Sequence, residues 1–126
     1  MSFSNYLENK VIDHVFGGTP YTAPATIYVG LYTTDPGEDD TGTEVSGGSY
    51  ARQSAAFTVT GNAATNTSAI EFPTATASWG TIAYIGLRDA SSAGNLLASA
   101  ALTTSKAIDT GDVLRIPAGD LDITLD

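Results

Sequence analysis

Turn chemistry dominates this sequence. From residue 26 onward, chain-reversing residues recur at close intervals: Asp35-Pro36-Gly37, Gly47-Gly48, Gly61-Asn62, Gly94-Asn95, Thr110-Gly111-Asp112 and Pro117-Ala118-Gly119-Asp120. Each group supplies either a positive φ or a φ preset by proline, which is what a reversing backbone needs. The segments between them are short: Thr26 to Thr33, Tyr50 to Thr60, Ala69 to Phe72, Thr81 to Arg88, Leu96 to Leu102, Val113 to Ile116 and Leu121 to Leu125. Several strands at this spacing predict a sandwich or a jelly roll. Composition points the same way, since Glu and Lys, the usual fillers of exposed helix faces, are rare beside Thr, Ala, Gly and Ser. The expected fold is mainly β, an antiparallel β-sandwich or jelly-roll-like body with one short N-terminal α-helix.

That helix is the exception to the pattern. Apolar residues fall at 3, 7, 11 and 15 and at 6, 12 and 16, spacings of three and four that predict a helix from about residue 4 to 16. Ser2 or Ser4 can accept a hydrogen bond from a free amide of the first turn, Glu8 lies early in favour of the macrodipole, and Gly17-Gly18 offers a left-handed exit. The apolar set is too wide for one narrow stripe, so the helix is expected to pack on the β body with one side and on something else with the other.

With 126 residues, the chain suits one domain with one hydrophobic core. Residues 1–18 form the helix and its exit, and residues 19–25 an extended linker held by Thr19-Pro20 and Ala23-Pro24. Residues 26–126 form the sandwich, with an acidic loop at 34–48. No apolar run approaches the roughly 20 residues that span a bilayer, and Asn5, Glu8 and Asp13 are foreign to a signal peptide. Neither a membrane nor export is expected. Five Lys and Arg stand against fourteen Asp and Glu for a net charge of −9, and Lys10, Arg52, Arg88, Lys106 and Arg115 are scattered singly. Nucleic-acid binding, which needs a basic stripe, is not expected.

Chemistry is sparse. With no cysteine there is no disulfide, thiolate metal site or thiol nucleophile, and the single histidine, His14, sits where an imidazolium would complement the helix C-terminus. The loop TDPGEDDTGTEVSGG carries five acids and no base, and is expected to project as a polar flap. Its spacing is wrong for an EF-hand, and a solvated charged loop is the plainer reading; calcium binding by the loop, alone or with Asp120 and Asp122, stays open. Glu71 alternates between Ile70 and Phe72 as an outward strand position. No Gly-x-Ser-x-Gly elbow, Walker loop or paired-histidine zinc motif occurs. No enzyme, cofactor or metal is expected.

Two strands echo each other. Ile27-Tyr28-Val29-Gly30-Leu31 and Ala83-Tyr84-Ile85-Gly86-Leu87 share an aromatic, a β-branched residue, a glycine and a leucine. They are either equivalent central strands facing each other across the core or a coincidence of common strand residues, and a strand-interior glycine marks a bulge or a close approach. Most aromatics belong to the core. Trp79, just before a strong strand, reads as a core anchor whose indole N–H caps a backbone carbonyl. Phe3, Tyr6 and Tyr21 lie outside the strand pattern and are candidates for an interface.

The ordered set Asn5-Tyr6-Leu7-Glu8-Asn9-Lys10, Asp13-His14-Val15, Tyr28 to Pro36, Glu44 to Arg52, Phe72-Pro73, Trp79-Gly80 and Gly94-Asn95-Leu96-Leu97 resembles a family of small tailed-phage virion proteins often labelled tail fibre proteins. That family is similar in turn to the jelly-roll cement or decoration proteins on the outside of phage heads. A fibre needs a coiled-coil or β-helical shaft or a repeat, and this sequence has none of these. The resemblance implies a part made in the host cytoplasm and displayed on the outer surface of the head. There it would bind the major capsid protein as a homo-oligomer, a dimer or trimer, and bridge neighbouring subunits against the pressure of packed DNA. The expected contacts are Phe3, Tyr6, Leu7 and Val11 on the helix and Tyr21 on the linker, with Tyr50 and Arg52 beside the Gly47-Gly48 hinge as a second set. A tail or baseplate role and a receptor- or carbohydrate-binding module are the alternatives.

Overall fold

In the computed structural model, which describes residues 1–125, the N-terminal periodicity becomes helix α1, Asn5–Phe16. Ser4 is its N-cap: the backbone is extended there, and the hydroxyl oxygen accepts the Leu7 N–H at 3.1 Å. The same hydroxyl donates to the Leu96 carbonyl at 2.5 Å, so the cap also ties the helix to the β body. At the other end the Gly17 N–H returns to the Asp13 carbonyl, and the left-handed residue is Gly18, at φ 73°.

The strands, in chain order, are β1 (Ser2–Phe3), β2 (Ile27–Tyr32), β3 (Gln53–Ala55), β4 (Phe57–Thr60), β5 (Ala63–Asn66), β6 (Ile70–Glu71), β7 (Gly80–Arg88), β8 (Leu96–Ile108), β9 (Arg115–Ile116) and β10 (Asp122–Thr124). They form a five-stranded sheet in the order β1-β8-β7-β2-β3, a three-stranded sheet β10-β5-β4 and a two-stranded sheet β6-β9. All the pairings are antiparallel. The fold is thus mainly β with one short N-terminal helix. Val29, Leu31, Ile85 and Leu87 of the large sheet share one buried cluster with Ile70, Leu114 and Leu121 of the smaller layer, the arrangement of a β-sandwich.

Differences from the sequence reading have local causes. The segment Tyr50 to Thr60 breaks at Ala56, because β3 pairs with β2 while β4 pairs with β5, so the chain changes sheets there. Strand β5 was not expected: Ala63-Ala64-Thr65-Asn66 lacks the aromatic and branched residues that signal a strand, and it is held by its hairpin partner across the Gly61-Asn62 turn. Strand β8 continues to Ile108 through the polar run Thr103 to Lys106, carried by pairing with β7 past an irregularity between Ile82 and Tyr84.

The echoing strands are β2 and β7. They are neighbours in one sheet, with Gly30 opposite Gly86 and Leu31 opposite Ile85, and they do not face each other across the core. Trp79, 4% exposed, is the core anchor the sequence suggested: its indole N–H donates to the Gly48 carbonyl at 2.9 Å. The Tyr50 ring meets it edge-on at 5.5 Å and stacks on Phe72 at 6.2 Å.

The acidic loop does not project. Pro36 and Val45 are buried, the Asn5 N–H donates to the Glu38 carbonyl, and the segment Thr43 to Val45 runs along β2. There the Thr33 N–H donates to the Thr43 carbonyl and the Val45 N–H to the Leu31 carbonyl, each at 3.0 Å. Strand β3 covers the edge of β2 only as far as Val29, and the loop covers the rest. An uncovered edge would be a template for aggregation, which is the physical reason a loop of this composition lies down.

Candidate functional site

Side chains alternate across a strand, so Val29 and Leu31 point into the core and Gly30 faces the other side. A Cβ on Gly30 would stand 2.8 Å from Glu44 Oε2, and one on Gly86 would stand 2.7 Å from Tyr32 Cε1 and 2.9 Å from Leu96 Cδ1. The paired glycines are therefore the floor on which two polar clasps lie, which is the close approach that strand-interior glycine signals.

The first clasp centres on Glu44. Arg52 grips it with a fork, Nε to Oε2 and Nη2 to Oε1 at 2.8 Å each, and the Tyr50 hydroxyl donates to Oε2 at 2.6 Å. That hydroxyl also accepts the Leu31 N–H at 2.9 Å, filling one more position on the open edge of β2. Arg52 Nη1 reaches the carbonyls of Ala90 and Ala93 at 2.8 and 2.9 Å. In the second clasp Arg88, 7% exposed, forks onto Asp40 at 2.8 and 2.9 Å and donates to the Tyr32 hydroxyl at 2.9 Å and the Gly94 carbonyl at 3.0 Å. Two arginines thus fasten the loop 34–48 and the turn 89–95 onto the same face. The Asp89 carboxylate closes that turn by accepting from the Asn95 N–H and side chain at 2.7 and 3.0 Å.

The protonation states fit a fastening. Burial works to raise the Glu44 carboxyl, but the Arg52 and Tyr50 hydrogen bonds outweigh it and leave the carboxyl below its ordinary value. Burial, and then the hydrogen bond to Glu44, push the Tyr50 phenol up. Burial works to lower the Arg88 pKa, but its bonds to Asp40 and Tyr32 prevail and raise it. Both Glu44 and Tyr50 move away from neutrality, so neither is poised as a general acid or base at pH 7.

The seven residues singled out from the sequence fall into two places. Tyr50 and Arg52 are spent inside the first clasp. Phe3, Leu7 and Tyr21 come together around an apolar cleft of about 310 Å³ between the N-terminal segment and the two larger sheets. Tyr6 meets Tyr21 edge-on with ring centres 6.5 Å apart, and Lys10 Nζ lies 5.7 Å from the Tyr6 ring centre. Val11, like Tyr6 and Leu7, is half-buried. His14 lies in the last turn of α1, where its Nδ1 accepts the Tyr21 N–H at 3.1 Å and folds the linker back onto the helix. The acids considered for calcium are dispersed, since Asp40 and Glu44 hold arginines while Asp120 and Asp122 line a separate cleft beside β8 and β9. Among the described residues no group of three or more His, Asp and Glu is placed to hold a metal ion.

The freest apolar residues of the helix are others: Ile12, Val15 and Phe16, exposed to 58, 60 and 81%. Their signal was in the periodicity, because positions 12 and 16 lie roughly 140° around the helix from 7 and 11. What the sequence could not give is which of the two sides docks on the body.

A β-built, strongly acidic molecule whose buried arginines are paired within the chain, and whose helix leaves an apolar side uncovered, has the character of an assembly component. The family described as Podophage GP4 fiber I protein gp80 matches residues 2–124, and the chain belongs to that family of phage virion structural proteins. Comparison with curated proteins gives no match.

Proposed function

We propose that this chain is a non-enzymatic capsid decoration, or cement, protein that binds the outside of the phage head and bridges neighbouring major capsid subunits against internal DNA pressure. The observation that carries this reading is the uncovered apolar side of α1, Ile12, Val15 and Phe16, on a body whose buried charges are already paired. Binding energy in such a molecule resides in apolar contact, and the lattice multiplies a modest interface over many copies. The compact sandwich supports it as well, for α1 spans 12 residues and, among the described residues, the strands form no repeated blade or coil from which a shaft could be built.

A second reading is favoured by one observation, the fibre named in the family's description. In it the same module serves as a tail-attached component at low copy number. A carbohydrate-binding role has less support, because Trp79 is 4% exposed and Phe16 is the one aromatic among the strongly exposed large apolar residues described. The deciding experiment is copy number per virion, by quantitative mass spectrometry against the major capsid protein, on particles with and without detached tails. A count comparable to the capsid protein and retained on tailless heads supports cement. A few copies, lost with the tails, supports the fibre reading and overturns ours.

A further inference from the structure

The linker between α1 and β2 is short of hydrogen bonds. Pro20 and Pro24 have no N–H to give, and each keeps the residue before it extended, so the segment runs without a ladder of its own. Among the described residues its fastenings are few. Gly17 and Thr19 donate their N–H groups to the Asp13 carbonyl at 3.0 and 3.1 Å, and Tyr21 donates its N–H to His14 Nδ1 at 3.1 Å. Beyond Tyr21 no hydrogen bond is made until Ile27 enters β2. The Tyr21 ring rests edge-on against Tyr6, and Tyr21 and Pro24 form part of the wall of the apolar cleft beneath Phe3 and Leu7. Whatever holds Tyr21 therefore sets how that wall stands.

We infer that His14 is a proton-operated latch on this linker, closed while its imidazole is neutral and open once the ring is charged. A ring nitrogen that accepts a backbone N–H must carry a lone pair, so in the closed state Nδ1 is bare and the ring proton sits on Nε2. Protonation places an N–H on Nδ1, and two donors then face each other across the 3.1 Å of the former bond. The bond does not survive that. Its contribution is present where the ring is neutral and is lost as pH falls through the protonation of His14. The charged ring has a second task available, because His14 lies in the last turn of α1 and an imidazolium there complements the free carbonyls of the helix end. One proton from solvent thus moves the side chain from holding the linker to capping the helix. The groups around the latch are Asp13 beside it, Lys10 one turn earlier, Tyr21 across the bond, Tyr6 against the Tyr21 ring, and Asp89, whose charge acts on Tyr21. Burial first, then Tyr6 and Asp89, push the Tyr21 phenol up, so that hydroxyl keeps its proton throughout. His14 is the chain's single histidine, which gives the response one source. The latch belongs to the chain itself and does not depend on the assembly role proposed above.

The test is an NMR titration of the full chain from about pH 8 to about pH 5, the range in which imidazoles ordinarily change charge. It follows the His14 ring, the Tyr21 amide and the backbone dynamics of residues 17 to 25. In the wild type the amide and the linker should change together with the ring and share its midpoint. Protection of the Tyr21 amide, corrected for the intrinsic pH dependence of exchange, should fall about two- to tenfold, the worth of one hydrogen bond. His14→Asn offers a carbonyl oxygen close to the position of Nδ1 without a titrating group, so its Tyr21 amide should stay bonded at every pH. His14→Ala removes the acceptor, and its linker should be loose at every pH. The side chain is exposed, so both variants are expected to fold, which thermal melts check. A wild-type Tyr21 amide that ignores the protonation of His14 overturns the inference. So does a His14→Asn or His14→Ala linker that still loosens in acid as the wild type does.

Discussion

Arg88 and Phe16 are opposite anomalies, an arginine 7% exposed and a phenylalanine 81% exposed. Around the arginine the chain has supplied a fork of carboxylate oxygens, a phenol and a carbonyl, and among the described residues only its Nε lacks a partner among buried side-chain polar atoms. Around the phenylalanine it has supplied nothing. A buried charge without partners costs several kcal/mol and would unfold a domain of this size, whereas an exposed ring costs little until a partner covers it. The clasped face is accordingly complete within one molecule, and the helix end is left uncovered by it.

Substitutions should divide along this line, with the largest effects on the clasped face. Glu44→Ala leaves the Arg52 guanidinium, 7% exposed, without its counter-charge, and should cost about 3–5 kcal/mol in denaturant unfolding. Gly86→Ala drives a methyl group into the Tyr32 ring and Leu96 and should cost about 1–3 kcal/mol. Tyr50→Phe strands the Leu31 N–H and one lobe of Glu44, for about 1–3 kcal/mol. Acid should erode the same face. Because the folded Glu44 carboxyl lies below its unfolded value, its contribution is fully present above about pH 4.3 and is lost as pH falls through the lowered folded value. Melting temperature against pH should therefore fall more gently for Glu44→Gln than for wild type. Phe16→Asp should change monomer stability least, by less than about 0.5 kcal/mol, while lowering the number of copies per virion. A Phe16 variant that unfolds, or a Glu44 variant that folds normally, would dissolve the distinction between the two regions.

Some of this was legible in the sequence for physical reasons that can be named. The helix and its Ser4 cap, the β-branched runs of β2 and β7, and the bonded indole of Trp79 all follow from interactions close in sequence or from burial demands peculiar to one residue type. The clasps were invisible because their partners are distant: Asp40 and Arg88 are 48 positions apart, and nothing in a loop of five acids says that two of them will meet Arg52 and Arg88. For the same reason the loop was expected to project. Tyr50 and Arg52 drew attention as residue types that concentrate interface energy, and the fold uses those same capacities internally. Deleting residues 1–16 would be a poor test of the helix, since it also removes β1 and the Ser4 anchor; a point change at Phe16 isolates the surface.

The attachment of α1 to the body has a mechanical meaning. The Ser4 hydroxyl and N–H bond the carbonyls of Leu96 and Leu97, and the Asn5 N–H bonds that of Glu38, all within two residues of chain. Tension applied at Phe16 is passed through the helix to these three bonds together. Two of them sit at the head of β8, which pairs with β7 almost from end to end, so much of the load enters the longest ladder among the described strands. A load entering there is resisted by many bonds at once, and Ser4 supplies both of the hydrogen bonds that lead from the start of the helix into that ladder.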